Sequence, residues 1–423
     1  MEPKTPMPKR YIGLDIHKHY LVAYGVDANL NPRLGPRRVN YPDLDRWIRT
    51  SLTLEDALVI EMTTNTWEMY DRLLPWVHSV MVVHPPHVAL ITRSQVMTDK
   101  VAARTLAHLL AKGLLVGIWV PPEAVRQQRA LVAYRQKFTR LTTQAKNRLH
   151  AVLHRRQILP PQQGDLFAPA QADWWRSLPL GPIEKALVQA DLDTLEFGRK
   201  QIEQLEASLN QRAAQEERLP LLVQLPGVSV LTALTILAAI GDITRFPSAK
   251  HLVGYAGLGA RIHDSGQTTR TGKITKAGRR DLRTGMVEAA QTAANTHPYW
   301  QAELARLEPR LGRNKAIVAI ARKLLVAIWH ILTQNAADRH ADPERLGRKF
   351  LQVAYTLGHA NRPQGQSAAA FARKQLDRLG LGQGLTHVHW GAKKKPIPLP
   401  PSTRAAILSS PTPVSLLSCL RSD

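Results

Sequence analysis

The sequence predicts a multidomain α/β plus α protein, with a mixed-sheet domain in front, a long helical arm, and a mainly α domain behind. Three observations predict it. Short apolar runs alternate with helical spacing up to residue 120, a long polar helical segment follows, and Leu219–Gly257 is strongly apolar with glycine breaks. At 423 residues the chain is too long for a single core and long enough for two or three. The expected divisions are 1–122, 123–218, 219–345 and a C-terminal extension with a flexible tail, 346–423.

In the front domain Tyr11–Asp15 and Leu21–Val26 read as paired strands with His17–Tyr20 as their turn. Leu58–Met62 and Val80–Val83 read as further buried strands, with helical spacing over Asn65–Leu74 between them and Pro75 at its end. Ser94–Leu115 reads as a helix, and Val116–Val120 as a short β-like run before Pro121–Pro122. From Glu123 to about Leu153 and again over Ile183–Arg218 the spacing is helical, with a break around Pro160–Pro169, which predicts an antiparallel, coiled-coil-like arm. Trp174–Trp175, between that break and the second helical stretch, reads either as core or as a stacking pair for RNA. Leu219–Gly257 reads as a helix-hairpin-helix-like unit whose Gly227 turn admits a phosphate, or equally as a plain buried helix pair. Lys315–Gln334 reads as an amphipathic to buried helix, and the Pro-, Ser- and Lys-rich chain after Gly380 as the tail.

Charge narrows the function. Lys and Arg number 57 against 33 Asp and Glu, a formal net charge of +24, which suits a polyanionic partner. No apolar run is read as long enough to span a bilayer, and Met1–Arg10 lacks the apolar core of a signal peptide, so a cytoplasmic protein without membrane partners is expected. Cys419, the single cysteine, excludes an internal disulfide and a cysteine-built zinc site. The front 122 residues carry 14 basic and 11 acidic residues, whereas Arg126–Arg156 holds nine basic residues and no acid. Those nine are Arg126, Arg129, Arg135, Lys137, Arg140, Lys146, Arg148, Arg155 and Arg156. A helix face of one sign calls for an external anion, so they are candidate nucleic-acid contacts, the alternative being a merely soluble basic helix.

Two constellations carry chemistry. Asp15, Glu61 and Asp99 each stand at the edge of an apolar element, where a carboxylate is costly unless a cation meets it. Three such acids on rigid supports suit Mg²⁺, which serves phosphodiester chemistry; singly, each is a cap or a surface charge. The second is Asp264–Ser265–Gly266, followed by Arg270, Lys273, Lys276, Arg279, Arg280 and Arg283. Glycines there admit a phosphate backbone and the basic groups would stabilise charge at phosphorus. Ser265 can attack a phosphodiester if a neighbour takes its proton, or it can simply belong to an Asp-Ser-Gly turn beside a passive DNA-binding loop.

These residues coincide with motifs of a known family. Gly13-Leu-Asp-Ile-His-Lys18, Glu61-Met-Thr and Thr98-Asp-Lys-Val-Ala-Ala-Arg-Thr-Leu-Ala107 stand in front. Leu225-Pro-Gly-Val228, Gly241-Asp-Ile-Thr-Arg-Phe246, Gly254-Tyr-Ala-Gly257, Ser265-Gly266, Lys276-Ala-Gly278 and Leu282-Arg283 follow in the same order. Over Tyr11 to Gln334 the chain resembles the Piv-like DEDD transposases of the insertion sequence 110 group, the bridge-RNA-guided recombinases. The resemblance implies a RuvC-like, RNase H-type front domain, a coiled-coil arm, and a transposase domain bearing the nucleophilic serine, Ser265. It implies strand exchange through a serine–DNA phosphodiester, Mg²⁺ as cofactor, and a bridge RNA pairing with target and donor DNA. It further implies dimers pairing into a tetramer on the bacterial chromosome, with the carboxylates assisting from a neighbouring subunit.

The family carries four front-domain acids; Asp15, Glu61 and Asp99 match three. The fourth is due three residues after Asp99, where this chain has Ala102, so the resemblance implies a site inactivated there by engineering or by drift. Two rival functions remain at this stage. One is a metal-only, structure-selective DNA nuclease with Ser265 merely structural, and the other an inactive RNA- or DNA-binding protein.

Overall fold

A computed structural model describes residues 7–91, 98–161, 164–265, 268–362 and 365–400. The chain divides into two compact units, Met1–Pro122 and Glu123–Asp423.

The first unit is built on one sheet. Its elements are β1 (Arg10–Ile16), β2 (Tyr20–Val26), β3 (Pro32–Asn40), α1 (Leu44–Ser51), β4 (Asp56–Glu61), α2 (Thr66–Leu73), β5 (Ser79–Val83), α3 (Pro85–Ile91) and α4 (Asp99–Ala111). The strand order is β3-β2-β1-β4-β5. β1, β2 and β3 pair antiparallel, while β4 lies parallel to both β1 and β5. β4 is the continuous apolar run expected of a parallel strand covered on both faces. Ile12, Leu14, Leu58 and Ile60 pack with Trp47, Met69 and Leu73 of α1 and α2 on one side. Val22, Tyr24, Ala103 and Ala107 form the other side under α4. The β-like run predicted at Val116–Val120 is not a strand: it touches the β5 edge through one bridge, Val83 to Gly117, and the Ile118 N–H on Val82. The prolines that follow it have no N–H to continue a ladder.

The second unit is helical. It begins with α5 (Glu123–Arg156), α6 (Ala172–Ser177) and α7 (Pro182–Gln215). α5 and α7, each of 34 residues, run antiparallel. Their opposite course is fixed by Arg135 with Glu206, Arg148 with Asp191 and Arg156 with Glu184. They meet tightly where Gly198 faces Thr142; a Cβ at Gly198 would fall 2.4 Å from the threonine methyl. Trp175 is core: it is fully buried beside Phe167 and Leu178, and its indole N–H donates to the Leu166 carbonyl at 3.0 Å.

The remainder comprises α8 (Leu219–Val223), α9 (Val230–Ile240), α10 (Ala249–Tyr255), β6 (Ala260–Ser265), β7 (Thr268–Ile274), α11 (Arg280–Thr296), α12 (Pro298–Leu311) and α13 (Arg313–Gln334). It ends with α14 (Pro343–Leu357), α15 (Ala368–Arg378), β8 (His387–Trp390) and β9 (Lys393–Pro396). α9 is buried on nearly every side, so its last carbonyls need internal donors. Arginines supply them: Arg129 donates to Ala238 and Ala239, Arg245 to Ile240, and Arg218 to Gly241. Cations there also suit the negative end of the helix. The Gly227 turn is packed against protein: a Cβ on Gly227 would lie 2.1 Å from the Ala289 carbonyl of α11.

Two expectations are corrected. α13, 22 residues long, is apolar enough by length and composition to cross a membrane, which the sequence reading missed. Here its apolar side lies in the core, with Ile320, Leu324 and Ile328 fully buried. The predicted tail after Gly380 is not structureless up to residue 400: β8 and β9 form a hairpin, and Val388 and Ile397 join the main core. The lysines read as tail composition lie on β9, where Lys395 sits over the Tyr355 and Trp390 rings. Residues 401–423 lie outside the described residues.

Candidate active site

In the first unit the site begins with a glycine. Residues 13 and 15 share a face of β1 by its period of two, and α4 covers that face. A Cβ at Gly13 would lie 2.1 Å from the Ala103 carbonyl and 2.6 Å from the Ala107 nitrogen. Only glycine lets strand and helix touch here, and the contact brings the α4 N-terminus toward Asp15. Thr98 caps that helix by accepting from the Val101 N–H, and Asp99 is its first residue. β4 lies beside β1 with Ile60 opposite Leu14, so Glu61 ends its strand near Asp15.

Asp15, His17 and Asp99 offer ligand atoms all within 4.8 Å of one another. His17 Nε2 stands 3.2 Å from Asp15 Oδ2 and 3.4 Å from Asp99 Oδ2. The Tyr20 hydroxyl donates to Asp99 at 2.9 Å, and Arg38 lies over the Tyr20 ring. Burial pushes the Asp15 carboxyl above its usual range; the His17 imidazole opposes this and Asp99 adds to it. Burial, then the charge of Asp15, raises Glu61 likewise. The hydrogen bond to Asp99 raises the Tyr20 phenol. Carboxylates crowded and half-buried in this way fit a hard divalent cation, with oxygen ligands from Asp15 and Asp99 and Glu61 close by. His17 and Tyr20 are better suited to orienting those ligands than to binding such an ion. The sequence reading missed both, although His17 lies two residues after Asp15 on the same side of the chain. Ala102 lies one turn beyond Asp99, half-buried, its N–H on the Thr98 carbonyl at 2.8 Å.

In the second unit Ser265 is the last residue of β6, paired with Thr268 across a two-residue connection. Residues 266–267 and the side chains of 263–271, among them Ser265 and Arg270, lie outside the described residues. The base of this hairpin is well defined. Thr275 donates to Gly259 and Lys276 to Gly257, and Arg279 donates to Tyr255. The contact needs two glycines in left-handed backbone, Gly257 at φ 68° and Gly278 at φ 131°. A Cβ at Gly278 would lie 2.3 Å from the Tyr255 carbonyl. Gly278→Ala is therefore expected to cost about 2–3 kcal/mol, read as an earlier urea midpoint, with faster proteolysis inside 260–275. An unchanged midpoint and cleavage pattern would refute this account of the hairpin base.

The basic residues sort into two groups. Arg129 is spent on α9, and Arg135, Arg148 and Arg156 on acids of α7, so the acid-free helix finds part of its counter-charge inside the chain. Arg279 pairs with Asp281, and Arg283 donates to the Ala256 carbonyl at 2.9 Å. Lys137, Arg140, Arg155, Lys273, Lys276 and Arg280 are exposed. Lys146, half-buried, lies 5.1 Å from the Phe167 ring centre, and Arg126 is also half-buried.

Clustered acids on a mixed α/β unit, in a chain of net charge +24, suit the class of metal-assisted enzymes that act on nucleic acid. Comparison with known proteins is specific. A DEDD transposase model of the IS110 type matches residues 12–157, and the model described as Transposase IS116/IS110/IS902 family matches residues 219–305. The pilin gene-inverting protein of Moraxella bovis is 29% identical over 346 residues, 78% of this chain and 97% of its own length. The transposase for insertion sequence element IS1111A of Coxiella burnetii is 25% identical over 346 residues, 78% of this chain and 91% of its own. The chain belongs to the IS110 family of transposases.

Proposed function

We propose that this transposase exchanges DNA strands under the guidance of a structured RNA, with Ser265 as the nucleophile and Asp15, Glu61 and Asp99 as ligands for Mg²⁺. The grouping of Asp15 and Asp99 around His17, held by the Gly13 contact, is the observation that carries it. Bound there, Mg²⁺ would supply Lewis acidity and charge neutralisation to a phosphodiester. The chain's own part is to orient the carboxylates, through His17 beside Asp15 and Asp99 and through the Tyr20 hydroxyl on Asp99. Ser265 Oγ would form the new bond to phosphorus as a deoxyribose oxygen leaves and takes up a proton. The serine–DNA phosphodiester keeps the energy of the broken bond, so rejoining needs no nucleotide cofactor.

A mixed sheet with the first acid on its central strand supports an RNase H-type reading of the first unit. In this reading dimers pair into a tetramer, and acids of one subunit serve the serine of another. The exposed Lys137, Arg140, Arg155, Lys273, Lys276 and Arg280, with Lys146 and Arg126, give the chain surface for RNA and DNA backbones. Base pairing, rather than a protein motif, would then select the target.

A denaturing gel tests the nucleophile. Protein carrying Ala102→Asp, with RNA, Mg²⁺ and labelled DNA, is expected to yield a slow-migrating protein–DNA adduct that vanishes with Ser265→Ala. Cleavage without an adduct would favour a metal-only nuclease, and RNA binding with neither product would favour an inactive binding protein.

A further inference from the structure

The two sets of basic residues, one on the arm and one after the serine, are far apart in sequence but meet in the second unit. α5, α9 and α11 enclose a groove of about 710 Å³. Five arginines line it: Arg129, Arg135 and Arg140 from α5, with Arg279 and Arg280 at the start of α11. Its acids are Asp281, which pairs with Arg279, and Glu288; Glu206 neutralises Arg135. Arg129 donates to the Ala238 and Ala239 carbonyls, and burial and then the charge of Arg279 lower its pKa while Tyr255 and Asp281 oppose this. Two further cations of the groove, Arg140 and Arg280, are exposed, and among the described residues neither forms an ion pair. Thr139, Thr232 and Thr284 also line the groove, the Thr139 hydroxyl bonded to Arg135 and that of Thr232 to Ser229.

We propose that this groove binds the phosphodiester backbone of a single nucleic-acid strand and leads it to the hairpin that carries Ser265. Several guanidiniums lining one groove match a run of phosphates and make no demand on base identity. α11 starts directly after the Lys276–Gly278 turn that closes the hairpin base, so the groove begins where the hairpin is anchored. The inference rests on the nucleic-acid reading above and adds to it a place and a strandedness.

The test is fluorescence anisotropy of the full chain with a labelled single-stranded DNA, the RNA of the same sequence, and the DNA duplex, across a salt series. Arg140→Gln with Arg280→Gln removes the two exposed cations without touching a buried contact. For single strands each phosphate contact contributes about 0.7 to the salt slope, so the double variant is expected to lose about 1.4 in slope and at least about tenfold in affinity at low salt. A slope lost for DNA alone, or for RNA alone, assigns the strand while upholding the groove. Thr232→Glu, which puts an acid in the groove floor, is expected to weaken the same probe further. Unchanged slopes in both variants, or a loss confined to duplex, would overturn the groove and leave the nucleic-acid reading intact. Failure of the unmodified chain to bind any of the three probes would overturn both.

Discussion

Ala102→Asp is expected to raise Mg²⁺-dependent DNA cleavage by about 100-fold or more, since loss of even a supporting group at a metal site costs 10–100-fold. The placement is already built. Position 102 is one turn from Asp99 on α4, and α4 is held to β1 by the Gly13 contact, so a carboxylate there is expected on the Asp99 side of the helix. A second reading comes from stability. A fourth acid adds like charge to groups whose protonated forms are already favoured by burial. The variant should therefore melt below the parent chain without divalent cation, and gain more from Mg²⁺ than the parent does. Equal cleavage by the two chains, with equal Mg²⁺-induced shifts in Tm, would refute position 102 as the missing ligand.

Lys349→Met is expected to change stability with a sign that depends on pH. The Lys349 amine lies under the turn that precedes α9, on a half-buried residue, where it donates to the Leu225 carbonyl, and burial lowers its pKa from 10.5 to about 7. Between those values the unfolded chain binds a proton that the native chain does not, so native stability rises with pH. The slope is about 1.4 kcal/mol per pH unit, and below about pH 7 it vanishes because both states are protonated. Methionine removes the term. The variant should be the more stable protein near neutral pH, with the wild-type chain gaining about 3 kcal/mol on it by about pH 9. Above that the parent also keeps a neutral hydrogen bond to Leu225, worth about 1 kcal/mol. Urea unfolding of both proteins at the two pH values isolates this residue, because every other titration cancels in the difference. Parallel stability curves would show that the amine is hydrated in the native state.

Much of the first unit was legible because its strands declare themselves. β4 is a continuous apolar run, and β1 and β2 are apolar segments joined through a short polar turn. β3 was not legible and received no assignment: Pro32, Gly35 and Pro36 interrupt a strand pattern, yet an edge strand with most residues exposed tolerates them. Asp15, Glu61 and Asp99 stood out as acids at the ends of apolar elements, but His17 and Tyr20 acquire their place only when β1 turns into β2 below α4. The arm shows the opposite failure. Arg135, Arg148 and Arg156 carry no sign in their own helix of being paired, because their partners lie on α7, 28 to 71 residues away. Charge content was readable; its neutralisation depended on which helices pack together.

α5 is one uninterrupted helix of 34 residues, roughly 50 Å from end to end, and its near end is built into the second unit's core through Val132 and the Arg129 contacts to α9. Such a rod works as a ruler. Anything gripped near Arg155 and Arg156 is held at a set distance and a set azimuth from the hairpin of Ser265. Adding a single residue to each of α5 and α7 would swing the tip by about 100° while moving it outward by only about 1.5 Å. Seven residues would nearly restore the azimuth and displace the tip by about 10 Å. Among relatives, arm length should therefore vary in steps near a heptad, because only such steps keep the far end facing the same way.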